Sequence, residues 1–289
     1  MIKYFMQKIG FPEDAVNYLY GQYNALMQNE QVKQDFLVAY DKLFNRVNGG
    51  VPLDITKKVA EYTGVNSHVV DMVFVLSALP ALKCVCISHG FSEEHFWNNM
   101  RDLTYKLKEC YAVHGIWGTF VANWYRHFFD LKISTHGRLQ FEEITAPFDY
   151  KTVKAGTFAL NCHIPNAGPL TADLVKDSFK KVYDAYKDRF ADGIVPIYCH
   201  SWLLYPPFLE KLKDGSNIKN FAKNFDIVNY HQNPANGDFW RVFNVFYSEG
   251  ITKQVVADNS LKRTIIELIE SGDSMGAGNG VILLDGKFD

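Results

Sequence analysis

The sequence predicts an α+β, or mixed α/β, protein in which a helical N-terminal domain precedes a mixed β-sheet flanked by helices. Over residues 1–130, apolar residues recur every three or four positions, which is the period of an amphipathic helix. Beyond residue 130, alternating and β-branched stretches are separated by a long amphipathic segment, which indicates strands and helices in turn. We therefore expect two domains, 1–130 and 131–289.

The N-terminal half carries helix boundaries as well as helix periodicity. In "FSEEHFWNNMRDLTYKLKECYAVHG", Ser92 is a good N-cap and Gly115 can end the helix. The same period is present in "AVNYLYGQYNALMQN" and "VKQDFLVAYDKLFNRV", and "WGTFVANWYRHFFDL" predicts one more helix, rich in aromatic residues. Gly49-Gly50 and Gly64 mark turns.

The C-terminal half alternates strands and helices. The longest predicted helix is "TADLVKDSFKKVYDAYKDRF", with Leu174, Phe179, Val182 and Tyr186 on its apolar face. Shorter helices are predicted in "PPFLEKLKDG" and, capped by Ser260, in "SLKRTIIELIESG". The strand candidates are "LKISTHGRLQFEEITA", "TVKAGTFALNCHI", "GIVPIYCHSWLL", "FDIVNYHQ", "FWRVFNVFY" and "GVILLDG".

Composition excludes several functional classes. The 289 residues are 47% hydrophobic, enough for a core in each domain, and the formal net charge is -2. No basic stripe interleaved with aromatic residues is present, so we expect no nucleic-acid partner. The longest apolar run, "VVDMVFVLSALPAL", contains Asp71 and Pro80 and is expected to be too short for a bilayer. We predict a cytoplasmic protein with no membrane partner; the sequence makes no prediction of oligomeric state.

The cysteines predict neither disulfides nor a metal site. The chain has five cysteines and no CxxC pair. Cys84 and Cys86 lie in an apolar stretch and are predicted to be core thiols. Because no HExxH or EF-hand pattern occurs either, we expect no metal.

The segment "HIPNAGPLT" (163–171) is the main candidate for a ligand site. Thr171 is a plausible N-cap for a helix starting at Ala172, whose first amides then point into "PNAGPL" and suit a phosphate or pyrophosphate. Gly168 permits close backbone approach, whereas Pro169 lacks an N–H donor. The alternative is an ordinary strand-to-helix turn, because the GK[ST] of a P-loop is missing.

Two polar residues at strand ends are candidates for acid–base chemistry. His163 ends a predicted strand, with Asn161 on its face and Cys162 on the other. It is either a structural histidine or a base, which would need a substrate proton within about 3 Å. Tyr205 follows the "YCHSWLL" strand and is either a packed aromatic or a proton donor.

Several other motifs favour simpler interpretations. In "YCHSWLL", Cys199 and His200 point to opposite faces of the strand, so they do not form a nucleophile–base pair, and hydrolase chemistry is disfavoured. One of Glu142 and Glu143 should be solvated, and Arg241 should pair with a carboxylate. "GAGNG" (276–280) has no helix after it and is predicted to be a flexible turn.

Taken in order, six motifs resemble one bacterial family. They are "HGRLQFE", "HIPNAGPLT", "CHSWLL", "SNIKNF", "NSLKRTIIELIESG" and "MGAGNGVILL", together with "WGTFVANWYRHFFDL" in the helical half. The family joins a helical N-terminal acyltransferase domain to a GNAT-like (N-acetyltransferase-like) C-terminal domain. The resemblance is carried mainly by the C-terminal half.

The resemblance implies an acyl-CoA site where two parallel strands splay apart, here "TFALNCHIP" and "GIVPIYCHSWLL". It implies direct attack of a small amine acceptor on the thioester, with His163 as base, Tyr205 as acid and His200 as reserve base. The loop is less rich in glycine than the usual GNAT phosphate loop. The residues implied to bind the pyrophosphate of CoA are Asn166, Ala167, Gly168, Leu170, Thr171 and Ala172.

Two functions of different classes follow. One is an acyl-CoA-dependent N-acyltransferase acting on a small amine, which the histidine at the strand end favours. The other is a non-catalytic GNAT-like binding or sensor protein, which the unusual loop favours. Release of free CoA during turnover with an acceptor would separate the two.

Overall fold

The computed structural model describes residues 1–45 and 51–288, and the chain forms two compact units, Met1–Ser134 and Thr135–Asp289. The first unit is helical, as predicted, although the predicted Gly49-Gly50 turn lies outside the described residues. Its helices are α1 (Ile2–Ile9), α2 (Glu13–Leu26), α3 (Glu30–Phe44), α4 (Leu53–Thr63), α5 (Ser67–Ser88), α6 (Glu93–Met100), α7 (Asp102–His114) and α8 (Arg126–Phe129).

Helix α5 forms the centre of the first unit. It runs for 22 residues and packs against α1, α2, α4 and α6. Among the described helices it alone is long and apolar enough to cross a membrane, so the expectation that this stretch is too short was wrong. Its side chains at Val70, Met72 and Phe74 are fully buried inside the unit, which is the environment of a core helix.

Two of the predicted helices are broken. Ser92 caps α6 and Gly115 ends α7, as predicted, but the chain between them breaks at Arg101 into two helices. In "WGTFVANWYRHFFDL" only a short 3₁₀ turn and α8 form. The N–H of Thr119 donates to the backbone oxygen of His68 at 2.9 Å, and this long-range bond holds the start of the segment out of a helix.

The second unit is built on a six-stranded mixed sheet. The strands of this sheet are β1 (Ile133–His136), whose first two residues belong to the first unit, β2 (Leu139–Thr145), β3 (Phe158–His163), β4 (Val195–Ser201), β5 (Asp226–His231) and β6 (Ala277–Leu284). Their order is β1-β2-β3-β4-β6-β5. The β3–β4 pair is parallel, whereas β2–β3, β4–β6 and β5–β6 are antiparallel. This arrangement confirms the predicted mixed sheet.

The helices of the second unit are α9 (Ala172–Tyr186), α10 (Pro206–Lys211), α11 (Asn217–Ala222), α12 (Trp240–Phe243) and α13 (Ser260–Glu270). The prediction of a strand in "FWRVFNVFY" was wrong. The Phe239 and Phe243 rings stack with centroids 4.1 Å apart, and this four-residue spacing suits a helical turn. Helix α13 is capped by Asn259 rather than by Ser260.

The buried faces differ from the predicted ones at two places. On α9, Leu174 is exposed, whereas Val175 and Ser178 are buried. The helix is turned so that Ser178 meets the β1–β2 turn, where its hydroxyl oxygen accepts a hydrogen bond from the N–H of Arg138. The prediction that Cys84 is a core thiol was also wrong: Cys84 is exposed and Cys86 is buried.

The predicted "GAGNG" turn is the beginning of β6, and its glycines are required by close packing. A Cβ at Gly278 would lie 2.2 Å from the backbone oxygen of Leu204, and one at Gly280 would lie 2.8 Å from Phe225. No side chain fits at such distances. The glycines therefore allow β6 to pass directly under the chain that follows β4.

Asp71 provides a first prediction, because α5 holds this carboxyl largely out of water. Burial raises its pKa from the usual 3.8 to about 6, against an opposing hydrogen bond from Thr56. Ionisation of the Asp71 carboxyl therefore lowers the free energy of unfolding as the pH rises from 4 to 6. We expect Asp71→Asn to raise the free energy of unfolding at pH 7.5 by about 1–2 kcal/mol and by much less at pH 4.

Denaturant unfolding at the two pH values measures this effect. Asp41→Asn, which alters an exposed carboxylate on α3 of the same unit, is the control. An equal change at both pH values in Asp71→Asn would contradict burial as the cause.

Candidate active site

The sheet opens between its two parallel strands. Strands β3 and β4 pair only at Leu160–Ile197 and Asn161–Tyr198. Beyond that point β3 continues along β2, and β4 continues along β6. Over the described residues the two strands thus part at their C-terminal ends. The backbone groups that they direct toward each other there are left for a ligand or solvent.

The two faces of the sheet differ at this opening. Cys162 and Cys199 lie on the buried face under α9, in the cluster that includes Phe179. Because side chains alternate along a strand, His163 and His200 lie on the opposite face. Each histidine comes two residues after the last paired position of its strand. The predicted base and the reserve base therefore flank the opening at equivalent positions.

His163 belongs to a polar cluster with Glu142 and Asn161. Its Nε2 lies 2.9 Å from Glu142 Oε2 and 3.1 Å from Asn161 Nδ2. The side chains of His163 and Glu142 are only 23% and 13% exposed. A carboxylate that accepts the Nε2–H fixes the imidazole as the tautomer whose lone pair is on Nδ1. This arrangement is compatible with the predicted role of His163 as a base.

His200 has a different neighbour. Its ring stacks on that of His231, with centroids 5.3 Å apart and an interplanar angle of 9°. Desolvation, followed by the nearby His231, lowers the pKa of His200 and keeps the ring neutral near pH 7. A neutral imidazole is the form that can accept a proton, so His200 remains chemically competent as a reserve base.

The Cys162 thiol at the opening is not activated. Burial, and then the adjacent Cys199 thiol, raise the pKa of Cys162 far above its usual value. A thiol in this state is not a nucleophile at neutral pH. Cys199 is also buried, while His200 is exposed, as their alternation predicted.

Arg138 holds the loop "PNAGPL" in place. Its guanidinium donates from Nε to the backbone oxygens of Gly168 and Pro169, at 3.2 and 3.1 Å, and from Nη2 to that of Gly168 at 2.6 Å. Arg138 is buried and follows Gly137, where a Cβ would lie 2.8 Å from the Ser178 hydroxyl. The Gly-Arg turn between β1 and β2 thus anchors both the loop and α9.

These hydrogen bonds leave the N–H of Leu170 facing away from Arg138. In a trans peptide the C=O and N–H point in opposite directions, so the bonded Pro169 oxygen turns the N–H of Leu170 outward. Within the described chain, the N–H groups of Gly168, Leu170 and Thr171 donate no hydrogen bond, whereas that of Ala167 donates to Pro165. Outward amides without partners suit an anion.

The start of α9 differs from its prediction. Thr171 has the extended backbone of an N-cap, but its side chain does not cap the helix. Instead, the Thr171 hydroxyl and the N–H groups of Asp173 and Leu174 hold the pKa of the Asp173 carboxyl below its usual value. A carboxylate therefore already lies in the first turn of α9 and would oppose a second anion there.

Removing this charge gives a second prediction. We expect Asp173→Asn to tighten CoA binding about two- to fivefold, because a like charge at the helix N-terminus is removed. Calorimetric titration at low and high salt measures the change, and the gain should shrink with salt. Asp184→Asn, at the other end of α9, is the matched control. Unchanged affinity in Asp173→Asn would place the pyrophosphate away from α9.

Tyr205 lies in a separate cluster. It follows the 3₁₀ turn Trp202–Leu204 after β4, is 1% exposed, and donates its hydroxyl proton to Asp273 Oδ1 at 2.8 Å. Burial, and then Asp273, raise the pKa of Tyr205 to about 12. Its role as acid stays a prediction, and the contacts with Asp273 weigh against it.

The remaining polar predictions are mixed. Arg241 pairs with Asp238 at 2.6 Å, as expected. Both glutamates of β2 have partners, His163 for Glu142 and Arg189 for Glu143, and Glu143 is the more exposed of the two. Among the described residues, no group of three or more His, Cys, Asp or Glu could hold a metal ion.

Comparison with known families identifies the chain. The GNAT-like C-terminal domain matches residues 133–282, more than half of the chain, and the N-acyltransferase N-terminal domain matches residues 2–131. The protein therefore belongs to the acyltransferase family that joins these two domains, which confirms the resemblance seen in its motifs. Among curated proteins, none matches the chain.

Solved structures share the fold. An acyltransferase in complex with decanoyl-CoA and teicoplanin aligns with a TM-score of 0.73 at 19% identity, over 96% of this chain and 86% of that chain. An acyltransferase mutant bound to octanoyl-CoA gives a TM-score of 0.72 at 19% identity, over 96% and 86%. A complex with CoA and 10C-teicoplanin gives 0.72 at 19% identity, over 96% and 85%. These proteins bind CoA and acyl-CoA; their likeness to this chain is one of fold.

Proposed function

We propose that this protein transfers an acyl group from an acyl-CoA to a small amine. The observation that carries the proposal is the opening between β3 and β4, with His163 held by Glu142 on one side of it. A thioester placed there would meet unpaired strand amides as well as a base. Polarising a carbonyl and accepting a proton are the two tasks of direct acyl transfer.

In this mechanism the amine nitrogen attacks the thioester carbonyl carbon, and the carbon–sulfur bond breaks. The proton lost by the nitrogen passes to His163, whose Nε2 lies 2.9 Å from the Glu142 carboxylate. The departing thiolate takes up a proton, either from the imidazolium or from solvent. No covalent intermediate with the enzyme is required, in keeping with the unactivated Cys162.

The loop after β3 fits the pyrophosphate of CoA in part. The N–H groups of Gly168, Leu170 and Thr171, which donate to no acceptor in the described chain, provide donors, and the hydrogen bonds from Arg138 hold the loop. The negative charge of Asp173 acts against them. We therefore infer a CoA site made by the loop amides more than by the N-terminus of α9.

The solved structures of similar fold support a proposal for the donor class. Those acyltransferases hold decanoyl-CoA and octanoyl-CoA, and some also hold teicoplanin. We propose a medium-chain acyl-CoA as donor and a molecule with an unprotonated amine as acceptor. A cytoplasmic location stays a prediction.

A non-catalytic binding protein is the second candidate. The Asp173 carboxylate on the first turn of α9 favours it, because this charge would weaken CoA binding. Such a protein would bind acyl-CoA or a related anion and would not release free CoA when an amine is added.

Turnover measurements separate the two candidates. Octanoyl-CoA and decanoyl-CoA are incubated with a panel of amines that includes teicoplanin, and free CoA and acylated product are measured by chromatography. A thiol reagent is avoided because Cys84 is exposed. Equal formation of CoA and product supports the acyltransferase. Binding of acyl-CoA without product over the whole panel would support the sensor.

A further inference from the structure

The first unit contains a cavity that acyl transfer at the sheet does not use. It has a volume of about 510 Å³ and is lined from α4, α5 and the segment that follows α7. That segment is fixed on α5 by the bond from the N–H of Thr119 to His68, and by Gly118, where a Cβ would lie 2.6 Å from the His68 backbone oxygen. The cavity wall is therefore built from packed helices.

The charges around this cavity are unbalanced. Glu61 and Asp71 bring carboxylates to its wall, and Lys57 brings one ammonium group. Desolvation, followed by the adjacent His114, lowers the pKa of His68, so this ring adds no positive charge near pH 7. At that pH Asp71 is ionised although its pKa is raised to about 6. The lining carries a net negative charge.

Apart from Ser67, the rest of the lining is apolar. Leu53 and the aromatic ring of Phe120 face the same space. A ligand that matches this lining combines one positive charge with an apolar body. An ammonium group would recover the Coulomb energy of the partly desolvated carboxylate, and an aromatic ring offers a cation–π contact.

We propose that this cavity binds a small organic amine, with its ammonium group against Asp71 and Glu61 and its apolar body against Phe120. A metal ion is a poorer occupant, because the described residues form no metal-holding group of His, Cys, Asp and Glu. An anion would meet two carboxylates. The site lies within the first unit, and the inference does not depend on acyl transfer.

The test uses three probes of nearly equal size. Phenethylamine, 2-phenylethanol and phenylacetate are titrated calorimetrically into the full chain at pH 7.5, without CoA. We expect saturable 1:1 binding of the amine, with the alcohol about tenfold weaker and the anion weaker still. Equal binding of amine and alcohol, or no amine binding up to millimolar concentration, would overturn the proposal.

Variants locate the binding. Asp71→Asn is expected to weaken phenethylamine binding at least about tenfold and Glu61→Gln by less, while Asp41→Asn on α3 leaves it unchanged. Asp71→Asn is also expected to be the more stable protein at this pH, so lost binding would not reflect unfolding. Native affinity in Asp71→Asn would overturn the proposal even if the acyltransferase function is correct.

Discussion

Turnover is expected to fall about 10²–10⁴-fold when His163 is replaced by glutamine, while the Kd for CoA stays nearly unchanged. Glutamine keeps much of the size and polarity of the imidazole but cannot take up the amine proton. His163 lies on β3 beside the opening and not on the loop after it, so the predicted CoA contacts remain. Steady-state kinetics with octanoyl-CoA and an identified amine measure the loss, and calorimetry measures the Kd.

The partner of His163 provides a graded comparison. Glu142→Gln should lower turnover less than His163→Gln, because it removes the carboxylate that orients the ring and leaves the base itself in place. His200→Gln is the matched control at the equivalent position on β4. If His200→Gln abolishes turnover and His163→Gln does not, the base is His200.

A second large effect is expected at Arg138. We expect Arg138→Met to weaken CoA binding about ten- to a hundredfold and to lower the free energy of unfolding by about 2–4 kcal/mol. The buried guanidinium holds the backbone oxygens of Gly168 and Pro169, and methionine leaves them without these donors. The loop amides then lose their fixed positions, and the entropy of ordering them has to be overcome on binding.

Arg189→Met is the matched control for this variant. Arg189 pairs with Glu143 and stacks on Phe158 at the start of β3, and it makes no hydrogen bond to the loop within the described chain. Calorimetric titration with CoA and denaturant unfolding are measured for both variants. Native CoA affinity in Arg138→Met would exclude the loop as the pyrophosphate site.

Local sequence patterns correctly predicted the elements whose structure depends on neighbouring residues alone. The period of α9 and the β-branched stretch of β4 are both set by neighbouring residues, and both elements form where predicted. The glycines of "GAGNG" suggested a turn. They are needed because the backbone oxygen of Leu204, which is distant in sequence, leaves no space for a side chain at Gly278. In "FWRVFNVFY" the aromatic content suggested a strand, and the Phe239–Phe243 stack favours a helical turn.

In the candidate active site, too, contacts between residues distant in sequence could not be predicted from local patterns. His163 and its loop could be proposed from a strand end followed by a helix cap. Glu142 could not be told from Glu143 by sequence, because its role depends on the β2–β3 register that sets it opposite Asn161. Arg138 was missed as well. The sequence feature that could have indicated Arg138 is the glycine before it. Gly137 lies in a turn packed so closely against α9 that no side chain fits there.

The central claim is that acyl-CoA lies in the β3–β4 opening with its pyrophosphate on the following loop. Amide hydrogen exchange with and without CoA, followed by mass spectrometry, tests this most directly. We predict slower exchange in peptides covering residues 161–172 and 198–202, and no change in the strand β5. Saturable CoA binding with protection confined to other parts of the chain would contradict the claim.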